Sequence, residues 1–176
     1  TNPTVAISSA LIERKDPISA WKFDAITGIT SSIEFRAISK EDPYIAVGKS
    51  SFYMNTKSGT FWERGRIGFG GTITFNGVGV GNSVHSPNVY AMAAGDFASL
   101  ARAVAIGNSI STWTPIDLKE QQQIPAIGQV NTVDSTYTGN FQDVIWEGVT
   151  NTWVAVGSAG SIFTAVGLTT AEAFSQ

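Results

Sequence analysis

One phrase occurs four times along this chain, an apolar residue, an alanine and a second apolar residue closed by a small one: Val5-Ala6-Ile7-Ser8, Ile45-Ala46-Val47-Gly48, Met92-Ala93-Ala94-Gly95 and Val154-Ala155-Val156-Gly157. Each copy is followed by an aromatic that closes the unit, in turn Trp21, Trp62, Trp113 and Phe174. Self-similarity on this scale marks a repeat architecture, in which one unit cannot bury its apolar face alone and does so against its neighbour. A phrase this short also recurs by chance in a chain with 18 glycines. What sets it apart is the order: upstream strand, phrase, second strand and terminal aromatic recur in units two and four, and phrase plus aromatic in all four.

The phrase reads as a strand. Tyr44-Ile45-Ala46-Val47 and Trp153-Val154-Ala155-Val156 are apolar on both faces and are shut off by Gly48 and Gly157, the pattern of a strand covered on both sides. Upstream strands are expected over Ile33–Ile38 and Val144–Val149, and Thr72–Asn76 alternates with period two, as a half-buried strand does. Glycine and proline at short intervals leave room for many short strands rather than long helices.

The fold class is therefore all-β, a small antiparallel propeller-like domain of about four short repeats, with a β-sandwich as the alternative. The units fall at about 1–24, 33–64, 73–114 and 141–176 of one domain, unit one lacking its upstream strand. The 176 residues shared among four units give 44 each, inside the roughly 40–45 of a four-stranded propeller blade. Residues 115–140, with Lys119-Glu120-Gln121-Gln122-Gln123, read as a polar insertion or long loop.

Unit three contains a local conflict. Asp96 to Gly107 has an N-cap candidate, apolar residues at 97, 100, 101 and 104 and a terminal glycine, which alone spells a helix. The repeat instead makes Ser99–Ala103 the counterpart of the strand Ser161–Ala165, and strand is the preferred reading.

Composition narrows the chemistry. The chain is 43% hydrophobic and only 14% charged, against a usual charged fraction of about 25%, so it has material for a core and does not read as disordered. A net charge of −3 gives no basic stripe to displace counterions from a polyanion, and no nucleic-acid partner is expected. No stretch approaches the roughly 18 apolar residues of a spanning helix, so no membrane partner is expected either. Thr1-Asn2-Pro3-Thr4 has no secretory-signal character. The chain has no Cys and one histidine, His85, which excludes a disulfide framework, a thiolate metal site and a cysteine nucleophile.

The remaining motifs each have a structural reading. Arg64-Gly65-Arg66, followed by Ile67-Gly68-Phe69-Gly70-Gly71, has the arginine and glycine-rich backbone that grip phosphate, but no P-loop Lys-Ser/Thr follows, which makes it a glycine-rich inter-strand loop. Gly77-Val78-Gly79-Val80-Gly81 is not followed by the helix a dinucleotide fingerprint needs and reads as a loop or bulged strand. His85 has the ordinary pKa of a general base but lies in Ser83–Pro87, which reads as a loop holding a solvent-facing or hydrogen-bonded histidine. Glu41-Asp42 and Asp143 with Glu147 offer oxygens to a calcium ion at spacings that match no calcium loop, so they read as solvated turns.

Of the five tryptophans, Trp21, Trp62, Trp113 and Trp153 hold equivalent repeat positions and are expected in the core, whereas Trp146 beside Glu147 is the aromatic expected at a contact surface. The candidate binding residues are thus Trp146, Glu147, His85, Arg64 and Arg66, with no catalytic set, no metal and no cofactor.

With those residues in view, "VIWEGVTNTWVAVGSAGSIFTA" in unit four resembles the BNR or Asp-box repeats of sialidase-like and photosystem-assembly-factor-like β-propellers. The box is eroded in every unit: Asp16 and Trp21 keep its Asp and Trp, Asn108, Thr112 and Trp113 keep an amide and its Thr-Trp end, and Gly59 and Trp62 keep its Gly and Trp with Lys57 at the Asp position. The resemblance implies structural turns rather than catalysis. A sialidase-like site would need three converging arginines and a Tyr–Glu pair; Arg14, Arg36, Arg64, Arg66 and Arg102 and Tyr44, Tyr53, Tyr90 and Tyr137 are available without anything in the sequence that gathers them. The expectation is a non-enzymatic structural or recognition protein, most concretely a bacteriophage virion component (capsid decoration, tail or fibre-associated), forming a homo-oligomer or joining a larger assembly. The alternative is a secreted or surface lectin-like propeller with a glycan as ligand.

Overall fold

The computed structural model describes residues 11–14, 22–25, 34–57, 62–69, 72–83, 86–106, 109–116, 118–124, 129–134, 136–167 and 174–175. Its strands fall into sheets in chain order. A hairpin pairs β1 (Leu11–Arg14) with β2 (Lys22–Ala25). The first sheet is the meander β3 (Phe35–Ile38), β4 (Tyr44–Gly48), β5 (Phe52–Thr56) and β6 (Glu63–Arg66). The second is β7 (Phe75–Ser83), β8 (Ser86–Gly95) and β9 (Leu100–Ile106), with β10 (Ser109–Ile110) and β11 (Thr114–Pro115) both pairing β9. The third contains β12 (Leu118–Ile124), β13 (Gln129–Asp134), β14 (Phe141–Glu147), β15 (Thr152–Gly157), β16 (Ile162–Val166) and β17 (Phe174–Ser175), in the order β13-β12-β17-β16-β15-β14. The fold is all-β and almost wholly antiparallel, and among the described residues no sheet closes into a barrel.

The three sheets share one wiring diagram, which explains the repeated phrase. In each, the phrase is the second strand of a meander and its closing glycine pairs with a phenylalanine at the start of the first strand: Phe35 with Gly48, Phe75 with Gly95, Phe141 with Gly157. A bulge follows each phenylalanine. The residue after the glycine donates its N–H back to the carbonyl just before the phenylalanine, Lys49 to Glu34 at 2.9 Å, Asp96 to Thr74 at 2.9 Å and Ser158 to Asn140 at 2.8 Å. That bond draws the first strand onto the end of the second, so a Cβ at Gly48 would collide with the Glu34 carbonyl, and one at Gly95 with the Thr74 carbonyl. The chain then reverses through two consecutive residues of positive φ, Ser50-Ser51, Phe97-Ala98 and Ala159-Gly160, the pairing that matches a tight hairpin to the strand twist.

The second sheet is the middle layer. Tyr90, Met92 and Leu100 face the third sheet in a core with Phe141, Val144, Trp153, Ala155 and Phe163. From the other face of the same strands, Ala91, Ala93, Ala101 and Ala103 join Ile45, Val47, Val78, Val80 and Trp113 in a core with the first sheet. The alternation along β9, with Leu100 and Val104 to one side and Ala101 and Ala103 to the other, decides the conflict in unit three: covered on both faces over 100–105, β9 is a strand despite its helical spacing.

Other boundaries differ from the sequence reading. Thr72–Thr74 is not strand, because β7 starts at the bulged Phe75. β14 ends at Glu147 in a turn that includes Val149. The stretch expected as an insertion or long loop carries the β12–β13 hairpin, and β12 pairs in parallel with β17 to widen the third sheet. The unit-one phrase and Trp21 lie outside the described residues.

Candidate functional site

The first strands of the three sheets, β3, β7 and β14, lie together, with β14 across β7 and β7 beside β3. Between them runs an open groove of about 210 Å³. Ile38, Lys40 and Glu41 line it from β3 and the loop that follows, Val78, Gly79 and Val80 from β7, and Asp143 to Trp146 from β14.

The Gly-Val alternation of β7 builds this site. Val78 and Val80 point into the core shared with the first sheet, while Gly77, Gly79 and Gly81 turn the opposite face toward β14. A Cβ at Gly77 would strike Asp143, one at Gly79 would stand 2.8 Å from the Val144 carbonyl oxygen, and one at Gly81 would stand 2.8 Å from both Trp146 and Trp153 ring carbons. The glycines exist so that two strands can cross almost backbone to backbone. The segment expected as a loop or bulged strand is the bulged strand.

A buried serine sets the opposite wall. The Ser39 hydroxyl accepts the Ile45 N–H at 2.8 Å and donates to the Pro43 carbonyl at 3.1 Å, closing the turn from which Lys40 and Glu41 reach the groove.

Trp146, expected at a contact surface, is half-buried in the groove wall. Its ring lies 5.1 Å from that of Trp153, and its N–H donates to the Asn82 carbonyl at 3.0 Å, tying the third sheet to the second. Trp153 and Trp113 are buried core residues and Trp62 is half-buried.

The other described candidates lie elsewhere. Glu147 holds its own turn, its carboxylate accepting the Thr150 hydroxyl and the N–H groups of Thr150 and Val149; those bonds, the Thr150 hydroxyl foremost, draw its pKa below the ordinary carboxylate value. Arg64 and Arg66 stand on β6, an edge strand rather than the inter-strand loop expected, with Arg66 donating to the Ser50 carbonyl at 3.0 Å. Gly65 between them lets the Tyr53 ring pass, since a Cβ there would lie 2.6 Å from it. His85 lies outside the described residues. Of the four candidates among the described residues, only Trp146 lines the groove.

The arginines and tyrosines are spread across the fold. Arg36 on β3 pairs with Glu34 at 2.7 Å, and three strand spacings of about 4.8 Å separate it from β6. Tyr90 is buried in the core with the third sheet, Tyr53 stacks edge-on to Trp113 at 5.6 Å, and Tyr137 packs on Phe141 and Phe163. Among the described residues no three histidine or carboxylate side chains are grouped to hold one metal ion.

What the groove brings together is Glu41 with Asp143, one from each carboxylate pair seen in the sequence, plus Lys40, Ile145 and the Trp146 ring. An apolar floor with an indole wall and charged side chains at its mouth suits recognition of a strand-like peptide or a hydroxyl-rich ligand. No family model, no curated protein and no solved structure matches this chain.

Proposed function

We propose that this chain is a non-enzymatic structural and recognition component of a larger particle, acting through protein–protein contacts, with its sheets as the blades of an open, propeller-like arc. The observation that carries the reading is that the stack of sheets ends on an apolar face left in water. Ile145, Val156, Ile162 and Val166 of the third sheet are all exposed, and a contiguous apolar patch of this kind marks a contact surface. The setting that the eroded Asp-box resemblance implies is the virion of a tailed bacteriophage. The test is the company the chain keeps in its source material: fractionated on a density gradient, the chain should band with particles of megadalton mass. Recovery only in the free-protein fractions overturns the reading.

The groove supports a second reading, glycan binding, in which Trp146 offers a ring and Glu41 and Asp143 accept hydroxyl groups. A glycan array probed with the purified chain tests it, and loss of any signal in Trp146→Ala assigns the groove.

A further inference from the structure

The groove runs along strand edges rather than across strand faces. Neighbouring residues of a strand point to opposite faces, so a face would line a cavity with every second residue. Val78, Gly79 and Val80 instead line it in unbroken sequence, as do Asp143, Val144, Ile145 and Trp146. The topology agrees, because β3, β7 and β14 are each the end strand of their sheet, with no further strand paired beside them among the described residues. Three edges therefore meet at one site, and an edge strand presents backbone N–H and C=O groups that no ladder pairs. Resting on the reading of this chain as a component that recognises other proteins, we propose that the groove takes an extended segment of a partner protein, laid along the edge of β14 as an added strand and carrying a lysine or arginine between apolar residues.

Three features of the walls select that occupant. The first is charge. Glu41 and Asp143 both line the groove, and among the described residues neither forms an ion pair; the Asp143 carboxylate accepts the neighbouring Val144 N–H at 2.8 Å. Lys40 beside them offsets one of the two charges, which leaves the site short of a cation. The second is the indole. The Trp146 N–H is already bonded to the Asn82 carbonyl at 3.0 Å, so what this residue offers a ligand is its ring, and the face of an indole attracts a cation within about 6 Å. A basic side chain answers the ring and the carboxylates together.

The third is the pair of apolar banks. Ile38 on β3 and Ile145 on β14 line the groove and are 46% and 53% exposed, placed to cover the apolar residues on either side of the charge. In an added strand the main-chain bonds give affinity and pockets for alternate side chains give specificity. At about 210 Å³ the groove falls short of the roughly 300–1,000 Å³ that encloses a drug-sized ligand, and suits one side chain with the backbone that carries it.

The experiment follows the amide resonances of the isotope-labelled full chain in titrations with two synthetic pentapeptide pools, Thr-X-Lys-X-Thr and Thr-X-Glu-X-Thr, both blocked at their ends, with X drawn from Val, Ile, Leu and Phe. At millimolar concentration the lysine pool is expected to shift the amides of 78–80 and 143–146, and to bind at least tenfold more tightly than the glutamate pool. A lysine pool N-methylated along its backbone, which lacks the N–H groups of a strand, should bind at least tenfold more weakly. Glu41→Gln and Asp143→Asn, both at exposed positions, should each weaken the lysine pool several-fold, Lys40→Gln should tighten it, and Glu63→Gln on β6, at the far edge of the first sheet, should leave it unchanged. No shift with the lysine pool, equal binding of the glutamate or N-methylated pool, or indifference to both carboxylate variants overturns the proposal. Chitohexaose, titrated in the same way, is the arm for a glycan: shifts of these amides by the sugar and not by the lysine pool give the groove to a saccharide. A chain that bands with particles yet ignores the lysine pool loses the added strand and keeps the particle role; a groove that takes the lysine pool in a chain absent from particles does the reverse.

Discussion

A methyl group on Gly79 would stand 2.8 Å from the carbonyl oxygen of Val144, a residue far along the chain on the strand that crosses it. The contact is with backbone, so no rotamer change relieves it, and β14 would have to lift from β7. Gly79→Ala is expected to lower stability by about 1–3 kcal/mol, the cost of overpacking a close-packed site. Gly68→Ala, where an added Cβ meets nothing within 4 Å, should stay close to the parent. Urea melts of the two variants check this, and equal midpoints would mean that the strands do not cross as closely as described.

Ser39 carries a second expectation. Its buried hydroxyl holds the turn at both ends, and Ser39→Ala leaves the Ile45 N–H without that acceptor. The expected loss is about 1–3 kcal/mol, the penalty for a buried donor left unsatisfied. Amide exchange of Ile45 should rise more than that of Val47. Unchanged exchange at Ile45 would show that another acceptor holds the turn.

How far the sequence leads can be read from particular residues. The phrase ending in Gly48, Gly95 and Gly157 exposes the second strand of each sheet, because its constraint is local: apolar on both faces, then a glycine. The paired Phe35, Phe75 and Phe141 escape notice, since the loop between phenylalanine and phrase differs in length from sheet to sheet and breaks the periodicity. The groove is less legible still. Glu41 and Asp143 each belong to a carboxylate pair that spacing alone assigns to a turn, and only the crossing of three first strands brings them together. Trp146 stands out because it falls outside the repeated aromatic position, and it alone of the four described candidates lines the groove.

Tyr53 should make the chain sensitive to alkali. Burial raises its phenol above the ordinary value of 10.0, so the folded state holds the proton more tightly than the unfolded chain. The contribution is fully present below about pH 10 and is lost as pH rises toward the folded value. Tyr53→Phe, which keeps a ring against Trp113, should show a shallower fall in urea midpoint between pH 9 and 11. Parallel curves for the two proteins would place the Tyr53 hydroxyl in water.

Glu34 works in the opposite direction at the acid end. Its hydrogen bond to Lys49, and then the nearby Arg36 and Lys49 charges, hold its carboxyl below the ordinary 4.5. The folded value lies under the unfolded one, so the contribution is present above about pH 4.5 and is lost as pH falls through the folded value. The cluster is open to solvent, so the effect is small and screened by salt. Glu34→Gln should lower the urea midpoint slightly at pH 7 in low salt, and match the parent at pH 2 or in about 1 M salt, where the screening length falls to about 3 Å. A difference that survives in high salt would assign it to packing rather than charge.

Trp146 separates a hydrogen bond from a packing contact. Its N–H meets the Asn82 carbonyl at a solvent-exposed site, where water can take over the acceptor, so Trp146→Phe is expected to cost about 1 kcal/mol or less. Trp146→Ala also removes the ring that lies 5.1 Å from Trp153 and closes over Gly81. For a half-buried ring the cost should fall below the roughly 3–5 kcal/mol of a full aromatic deletion yet exceed that of the Phe variant several-fold. The two indoles are close and tilted at 54°, so their transitions couple, and both variants should lose the same feature from the circular dichroism of the parent while only Trp146→Ala shifts the remaining tryptophan emission to the red. A stable Trp146→Ala with unshifted emission would mean that the ring does not seal the junction between the second and third sheets.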